Sequence, residues 1–349
     1  MHNDISVGLI GYGRAAQIFH APIIQSVAGL TLRKVVERHS NNAARQYPET
    51  ETVPDTAELL QDPDIGLIVI ATPNHTHFEL AQQALLAGKH VVVDKPFTVT
   101  SGEGATLVDL ARQQKRIISV FQNRRWDGDF MTVRKILESN VLGRLVEYES
   151  HFDRFRNVRK EGWREDEGEG TGILYDLGSH LIDQALTLFG LPAMICADIR
   201  IQRDTAKVAD NFALLLDYGH LKVTLKAGML VREPDTRFIL NGMEGSYVKC
   251  GLDPQEEDLK QGRTPDRPDW GMEDPRCWGK LNTTIKGLHV NGSVETLAGA
   301  YQSYYTNIAG AINGREELLV KPAEALNTIR VIELAMQSNE QKRALDFSS

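Results

Sequence analysis

Cysteine is scarce in this chain. Three thiols, Cys196, Cys250 and Cys277, are spread through 349 residues, too few for a disulfide framework and without metal-ligand spacing. No structural zinc and no other metal site is expected, and the usage suits a reducing compartment. Long apolar runs are also missing, since residues 65–71 and 91–93 fall far short of the ~20 that a bilayer-crossing helix needs. The start, Met1-His2-Asn3-Asp4, has no positively charged leader region. Nor does positive charge dominate: 39 Lys and Arg stand against 47 Asp and Glu, a formal net charge of −8. That balance argues against nucleic acid or an anionic membrane as the main partner. Internal repeats are not evident. The expectation is a soluble cytoplasmic protein with a small-molecule partner. At 42% hydrophobic and 25% charged residues, it is long enough for two domains with separate cores.

The first third alternates β-branched runs with helical patterns, the signature of a parallel sheet with crossover helices. Strands are predicted at 5–10, 30–36, 66–70, 90–93 and 117–120, and helices at 15–27, 56–60, 76–87 and 102–115. Gly29 and Gly88 stand where helices stop. After Phe121 the pattern changes. Helices are predicted at 131–139 and 174–189, then consecutive strands at 195–201, 211–218, 221–227 and 237–240, which imply antiparallel pairing. Helices return at 297–313 and 323–338, while 251–291 reads as surface loops with one short helix at 254–261. The fold class is therefore α/β: an N-terminal doubly wound parallel sheet over residues 1–122, followed by an α+β domain over 123–349.

Gly11-Tyr12-Gly13-Arg14-Ala15-Ala16 follows an apolar strand and opens a helix, the context a dinucleotide-binding turn requires. Gly11 permits the tight turn, Gly13 lets the backbone approach a diphosphate, and Ala16 keeps helix and strand close. Where a carboxylate is expected on the ribose hydroxyls, the chain has Glu37, which favours NAD, beside Arg38, whose guanidinium suits the 2′-phosphate of NADP. The choice between NAD and NADP stays open, and use of both is expected. Thr72-Pro73-Asn74-His75-Thr76-His77 follows another strand at the same carboxyl edge, so Thr72, Pro73, Asn74 and His77 are candidate cofactor contacts; Asn74 could equally cap the next helix.

Asp94-Lys95-Pro96 ends the strand at 90–93, where a cation can hold an oxygen that becomes negative during a reaction. Asp176 and His180, four apart at the start of a predicted helix, share a face. Removing hydride from a carbinol requires the hydroxyl proton to leave as well, and histidine titrates in the range for that transfer. Lys95, Asp176 and His180 are the candidate catalytic residues. The acidic stretch at 163–169 reads as a solvated loop, and Arg124 and Arg125 as stacking or surface ion-pairing arginines.

These motifs, with Gln122-Asn123-Arg124-Arg125-Trp126 and Trp163-Arg164 in this order, resemble the glucose–fructose oxidoreductase / inositol dehydrogenase (Gfo/Idh/MocA) family over essentially the whole chain. Trp126-Asp127 and Thr171-Gly172-Ile173-Leu174-Tyr175-Asp176 are most similar to its NADP-dependent scyllo-inositol dehydrogenases. The resemblance implies a Rossmann domain, then a domain with a large open antiparallel sheet whose flat face forms dimers, so a homodimer or homotetramer is expected. It also implies that Lys95, Asp176 and His180 form the catalytic set, with Asp94 and Lys95 in the cofactor loop. Asn123, Trp163 and Arg164 are implied beside cofactor or substrate, and Tyr301, Tyr304 or Tyr305 at the pocket. The family's usual Glu-Lys-Pro is Asp94-Lys95-Pro96 here.

The function expected is hydride transfer between nicotinamide and a secondary hydroxyl or ketone of a cyclic polyol or sugar. A non-catalytic dinucleotide-binding regulator and a dihydrodiol-type dehydrogenase are the alternatives.

Overall fold

The computed structural model describes residues 4–38, 40–233 and 236–347, so the leader reading at Met1–Asn3 lies outside the described residues. The chain forms two compact units, one from Met1–Trp126, Gln255–Trp270 and Ala300–Leu326, the other from Asp127–Pro254, Gly271–Gly299 and Asn327–Ser349.

The first unit is built on β1 (Ile5–Ile10), β2 (Leu30–Val36), β3 (Glu51–Val53), β4 (Ile65–Ile70), β5 (His90–Val93) and β6 (Ile118–Val120), all parallel in the order β3-β2-β1-β4-β5-β6. The order reverses between β1 and β4, the switch point at which open α/β sheets bind ligands. The central strands are buried on both faces, which is why they read as unbroken Val/Ile/Leu runs. Helix α1 (Ala21–Ser26) is preceded by a π-helical turn, Ala16–His20; α2 (Asn42–Gln46), α3 (Thr56–Leu60), α4 (His77–Leu86) and α5 (Ser101–Gln114) make the crossovers. Thr100 and Glu103 form a reciprocal capping box at the start of α5. The segments 255–270 and 300–326 belong here because Leu259, Trp270, Tyr301, Tyr304, Tyr305 and Ile308 join the core of β1, β2 and α1.

The second unit holds α6 (Gly128–Glu138), β7 (Leu145–His151), a π-helical turn Leu174–Gly178 running into α7 (Ser179–Phe189), and then β8 (Met194–Arg200), β9 (Asn211–Tyr218), β10 (Leu221–Gly228), β11 (Thr236–Gly242), β12 (Gly245–Cys250), β13 (Gly279–Ile285), β14 (Leu288–Val294) and β15 (Leu345–Asp346). They form one nine-stranded sheet, β14-β13-β12-β11-β7-β10-β9-β8-β15, antiparallel except where β7 runs parallel to β10.

The segment read as surface loops at 251–291 contains β13 and the start of β14. Lys286 and Gly287 join these strands with φ of +50° and +83°, the two positive dihedrals of a type I′ hairpin. Both strands are largely exposed, and their few apolar residues are interspersed with polar ones and glycine, so the pattern is weak. No helix among the described residues is long and apolar enough to cross a membrane.

Candidate active site

In the first unit the backbone ladder continues past the carboxyl ends of the strands. The amide of Gly11 donates to the Val36 carbonyl (3.3 Å), Ala71 to Ile10 (3.0 Å), Asp94 to Ile70 (2.8 Å) and Phe121 to Val93 (2.8 Å). The glycine turn, the Thr72 loop, Lys95 and Asn123 are thereby fixed along one edge.

Gly11 adopts φ +89°, and a Cβ there would lie 2.9 Å from Thr72 Cγ2 and 3.1 Å from the Ala71 carbonyl oxygen. Gly13 is exposed, and a Cβ on it would meet no atom within 4 Å. One glycine is thus required by the protein's own packing, while the other leaves its backbone open to an anion. Arg14 is exposed, Ala15 half-buried, and Ala16, fully buried, opens the π turn. This edge fits a dinucleotide.

Glu37 is buried at the end of β2. Ser40 donates its hydroxyl to Oε1, and the Ala43 amide donates to Oε2 (3.0 Å). Burial alone would raise its pKa, but the donors from Ser40, Ala43 and Asn42 outweigh it and hold the carboxyl below the usual range. Arg38, next in sequence, is exposed.

Thr72 and Thr76 share a hydroxyl hydrogen bond (2.6 Å), and Thr76 also donates to the Pro73 carbonyl (2.7 Å). Asn74 is buried as the first residue of a 3-10 turn, and the N-cap position of α4 is taken by Thr76. His77 is fully buried, with Nδ1 2.9 Å from the Pro96 carbonyl oxygen and Nε2 3.0 Å from that of Thr72.

Lys95 is half-buried, and its amide donates to Asp94 Oδ1 (2.9 Å). The same oxygen lies 3.5 Å from Nε2 of the buried His20, whose Nδ1 meets the Tyr305 hydroxyl at 2.6 Å. Burial would raise the Asp94 pKa, but His20, Lys95 and His77 together hold it below the usual carboxylate range. Sequence reasoning missed His20, because a histidine in an apolar helix gives no signal of its partners. Tyr301, Tyr304 and Tyr305 are core residues, Tyr304 and Tyr305 around His20 and Phe121 and Tyr301 beside Phe19, and Tyr304 donates to Ser119 (3.1 Å).

Asn123 is buried in a 3-10 turn with Arg124 and Arg125. These arginines are buried, not surface, ion-pairing groups: Arg124 bonds Glu256 (2.5 Å) and Tyr301 (3.4 Å), and Arg125 bonds Glu324 (2.8 Å).

In the second unit, Asp176 sits in the π turn and His180, buried, in the first turn of α7; π turns recur at functional positions. Arg164 stacks on Trp163 with its guanidinium 4.5 Å from the ring centroid, and its Nε lies 3.7 Å from Asp176 Oδ1. The stretch read as a solvated loop is anchored instead. Glu165 pairs with Arg156 (3.2 Å) and with the buried Arg203 (3.0 Å), which also pairs with buried Asp210 (2.8 Å). Arg203, so far away in sequence, could not be assigned to this loop from spacing. No cluster of His, Cys, Asp and Glu suited to a metal ion occurs among the described residues.

Residues 5–122 match the model of an oxidoreductase family's NAD-binding Rossmann fold, and residues 134–347 match the same family's C-terminal alpha/beta domain. Among curated proteins, the oxidoreductase YdgJ of Escherichia coli is 44% identical over 99% of both chains. The scyllo-inositol 2-dehydrogenase (NADP(+)) IolW of Bacillus subtilis is 39% identical over 98% of this chain and 96% of its own. The solved structure of the oxidoreductase yvaA from Bacillus subtilis superposes with a TM-score of 0.97 at 37% identity, covering 100% of this chain and 99% of that one. The chain belongs to the Gfo/Idh/MocA oxidoreductase family and is an NAD(P)-dependent dehydrogenase.

Proposed function

We propose that the enzyme oxidises a secondary hydroxyl of an inositol-like cyclic polyol or a sugar, or reduces the corresponding ketone. The observation that carries this reading is the full-length similarity to a protein named for scyllo-inositol and NADP(+). In it, Gly11 and Gly13 hold the diphosphate, with Arg14, Ala15 and Ala16 at the helix start; Glu37 and Arg38 flank the adenosine; Thr72, Pro73, Asn74, Asp94 and Asn123 line the dinucleotide, with Trp163 and Arg164 beside cofactor or substrate. The nicotinamide, when bound, supplies the hydride acceptor or donor.

Lys95 stabilises the oxygen that becomes negative as the carbon–hydrogen bond breaks. His180 takes the hydroxyl proton during oxidation and returns it during ketone reduction. Asp176 orients His180 or grips a neighbouring hydroxyl, and its contact with Arg164 helps to aim it. Residues 1–122 serve the dinucleotide, while 123–349 serve the polyol and assemble the chain as a homodimer or homotetramer.

The test follows reduced-cofactor absorbance across inositol isomers, hexoses and pentoses with NAD and NADP. K95A should lower turnover by roughly a hundredfold or more while leaving cofactor affinity near wild type. Full activity in K95A, or tight cofactor binding with no turnover on the whole panel, would overturn the reading.

A further inference from the structure

We propose that His77 is a positioning residue that ties the Thr72 cofactor loop to the Lys95-Pro96 loop, so that the two are placed as one body. The proposal rests on the role given to Lys95 above. Its basis is a single buried ring with a main-chain oxygen at each nitrogen: Pro96 at Nδ1 (2.9 Å) and Thr72 at Nε2 (3.0 Å). Carbonyl oxygens only accept, so whichever contact is a hydrogen bond is donated by a ring N–H. With no exposed surface and both nitrogens on protein carbonyls, His77 has no atom left for the dinucleotide itself. Its service to the site is indirect.

Each end of this tie is itself attached to something functional. Thr72 is the residue whose Cγ2 would touch a Cβ on Gly11, so its loop also packs against the glycine turn. Pro96 follows Lys95, whose amide is held by Asp94. Asp94 is buried and ionised, and its charge acts on both His77 and His20. Burial pushes the His77 ring below the usual histidine range, whereas Asp94 and the surrounding carbonyls pull it upward. A neutral ring donates through one nitrogen at a time, and a protonated ring through both. Either form keeps the carbonyls of the two loops on opposite sides of one rigid imidazole. A glutamine at this position carries its two N–H donors on one nitrogen and cannot reach carbonyls set at the two separate nitrogens of an imidazole.

The test is H77Q, studied first without cofactor. Amide hydrogen exchange should rise together in segments 71–76 and 94–99, while β4 and β5 keep their protection. Cofactor dissociation constant should rise and kcat should fall, each by about two- to tenfold, the loss of one ordinary hydrogen bond. A merely structural histidine would lower the melting temperature and accelerate exchange throughout the sheet, yet leave kcat per folded molecule unchanged. That pattern, or loosening of one loop alone, overturns the proposal. Should H77Q fail to fold, the wild-type protein carries the test: under graded urea the two segments should open with one shared free energy and slope, and separate openings refute the coupling. Because exchange is read without cofactor, it stands apart from the role of Lys95, which fails only if K95A stays active.

Discussion

The two glycines of the nucleotide turn are expected to fail in opposite ways when each is replaced by alanine. At Gly11 the backbone φ is +89°, a conformation that costs an L-residue roughly 1–2 kcal/mol. The new methyl would also stand 2.9 Å from Thr72 Cγ2 and 3.1 Å from the Ala71 carbonyl oxygen, so the Thr72 loop must shift. G11A should therefore lose about 2–3 kcal/mol of unfolding free energy before any ligand is considered. Gly13 has no such φ and no neighbour within 4 Å. Alanine there gains a few tenths of a kcal/mol by stiffening the unfolded chain and loses a similar amount at a helix start, so G13A stability should stay within about 1 kcal/mol of wild type. Its methyl occupies the space through which a diphosphate reaches the backbone amides. Losing one charge-assisted hydrogen bond, about 1.5–3 kcal/mol, raises the cofactor dissociation constant roughly ten- to a hundredfold. Urea unfolding and fluorescence titration with NADPH and NADH separate the two effects. Normal cofactor affinity in G13A, or a stability loss in G13A matching that of G11A, would refute the assignment of the turn.

Three further outcomes follow from named contacts. Because both Glu37 oxygens are engaged by Ser40 and Ala43 while Arg38 is exposed, R38A should weaken NADPH binding about tenfold or more and NADH binding less than twofold; equal weakening in titrations would remove Arg38 from the 2′-phosphate. His90 accepts the Ile117 amide (3.0 Å), and burial, aided by the charge of Arg116, lowers its pKa to about 4 from 6.5. The unfolded chain therefore takes up this proton first as pH falls, so the contribution is whole above pH 6.5 and lost between 6.5 and about 4; H90Q should abolish a loss of order 2 kcal/mol in urea unfolding at pH 7 and 4.5, allowing for partial exposure. An unchanged pH dependence in H90Q would exclude His90 as the source. Lys249 is buried against Glu273 (2.7 Å), so K249M should cost about 3 kcal/mol, and K249M/E273L should recover most of it; a neutral single variant contradicts the buried pair.

What was legible in the sequence divides along physical lines. Strands β1, β4 and β5 could be read because burial on both faces favours apolar runs, β2 because its buried apolar positions alternate with exposed ones before Val35 and Val36, and the glycine turn because its requirements are local: one positive φ and one open approach. Strands β13 and β14 could not, since they are largely exposed and mix polar residues and glycine among few apolar ones, leaving the Lys286-Gly287 turn as the plainer signal. The same division runs through the site. Thr72, Lys95, Asp176 and His180 were named as candidates because position at a strand end or on one helix face singles them out. The environment of Glu37 was not, because a residue type states which bonds it can make and the loop at 40–43 decides which it does make. His77 combines the two cases. Its place after β4 named it as a candidate at the cofactor edge, yet a ring with both nitrogens on main-chain carbonyls faces neighbouring loops. Spacing identifies residues that arrive at a site; only packing distinguishes those that touch the ligand from those that hold the touching ones still. For Asp94, buried beside His20 and bonded to the Lys95 amide, the packing favours the second role.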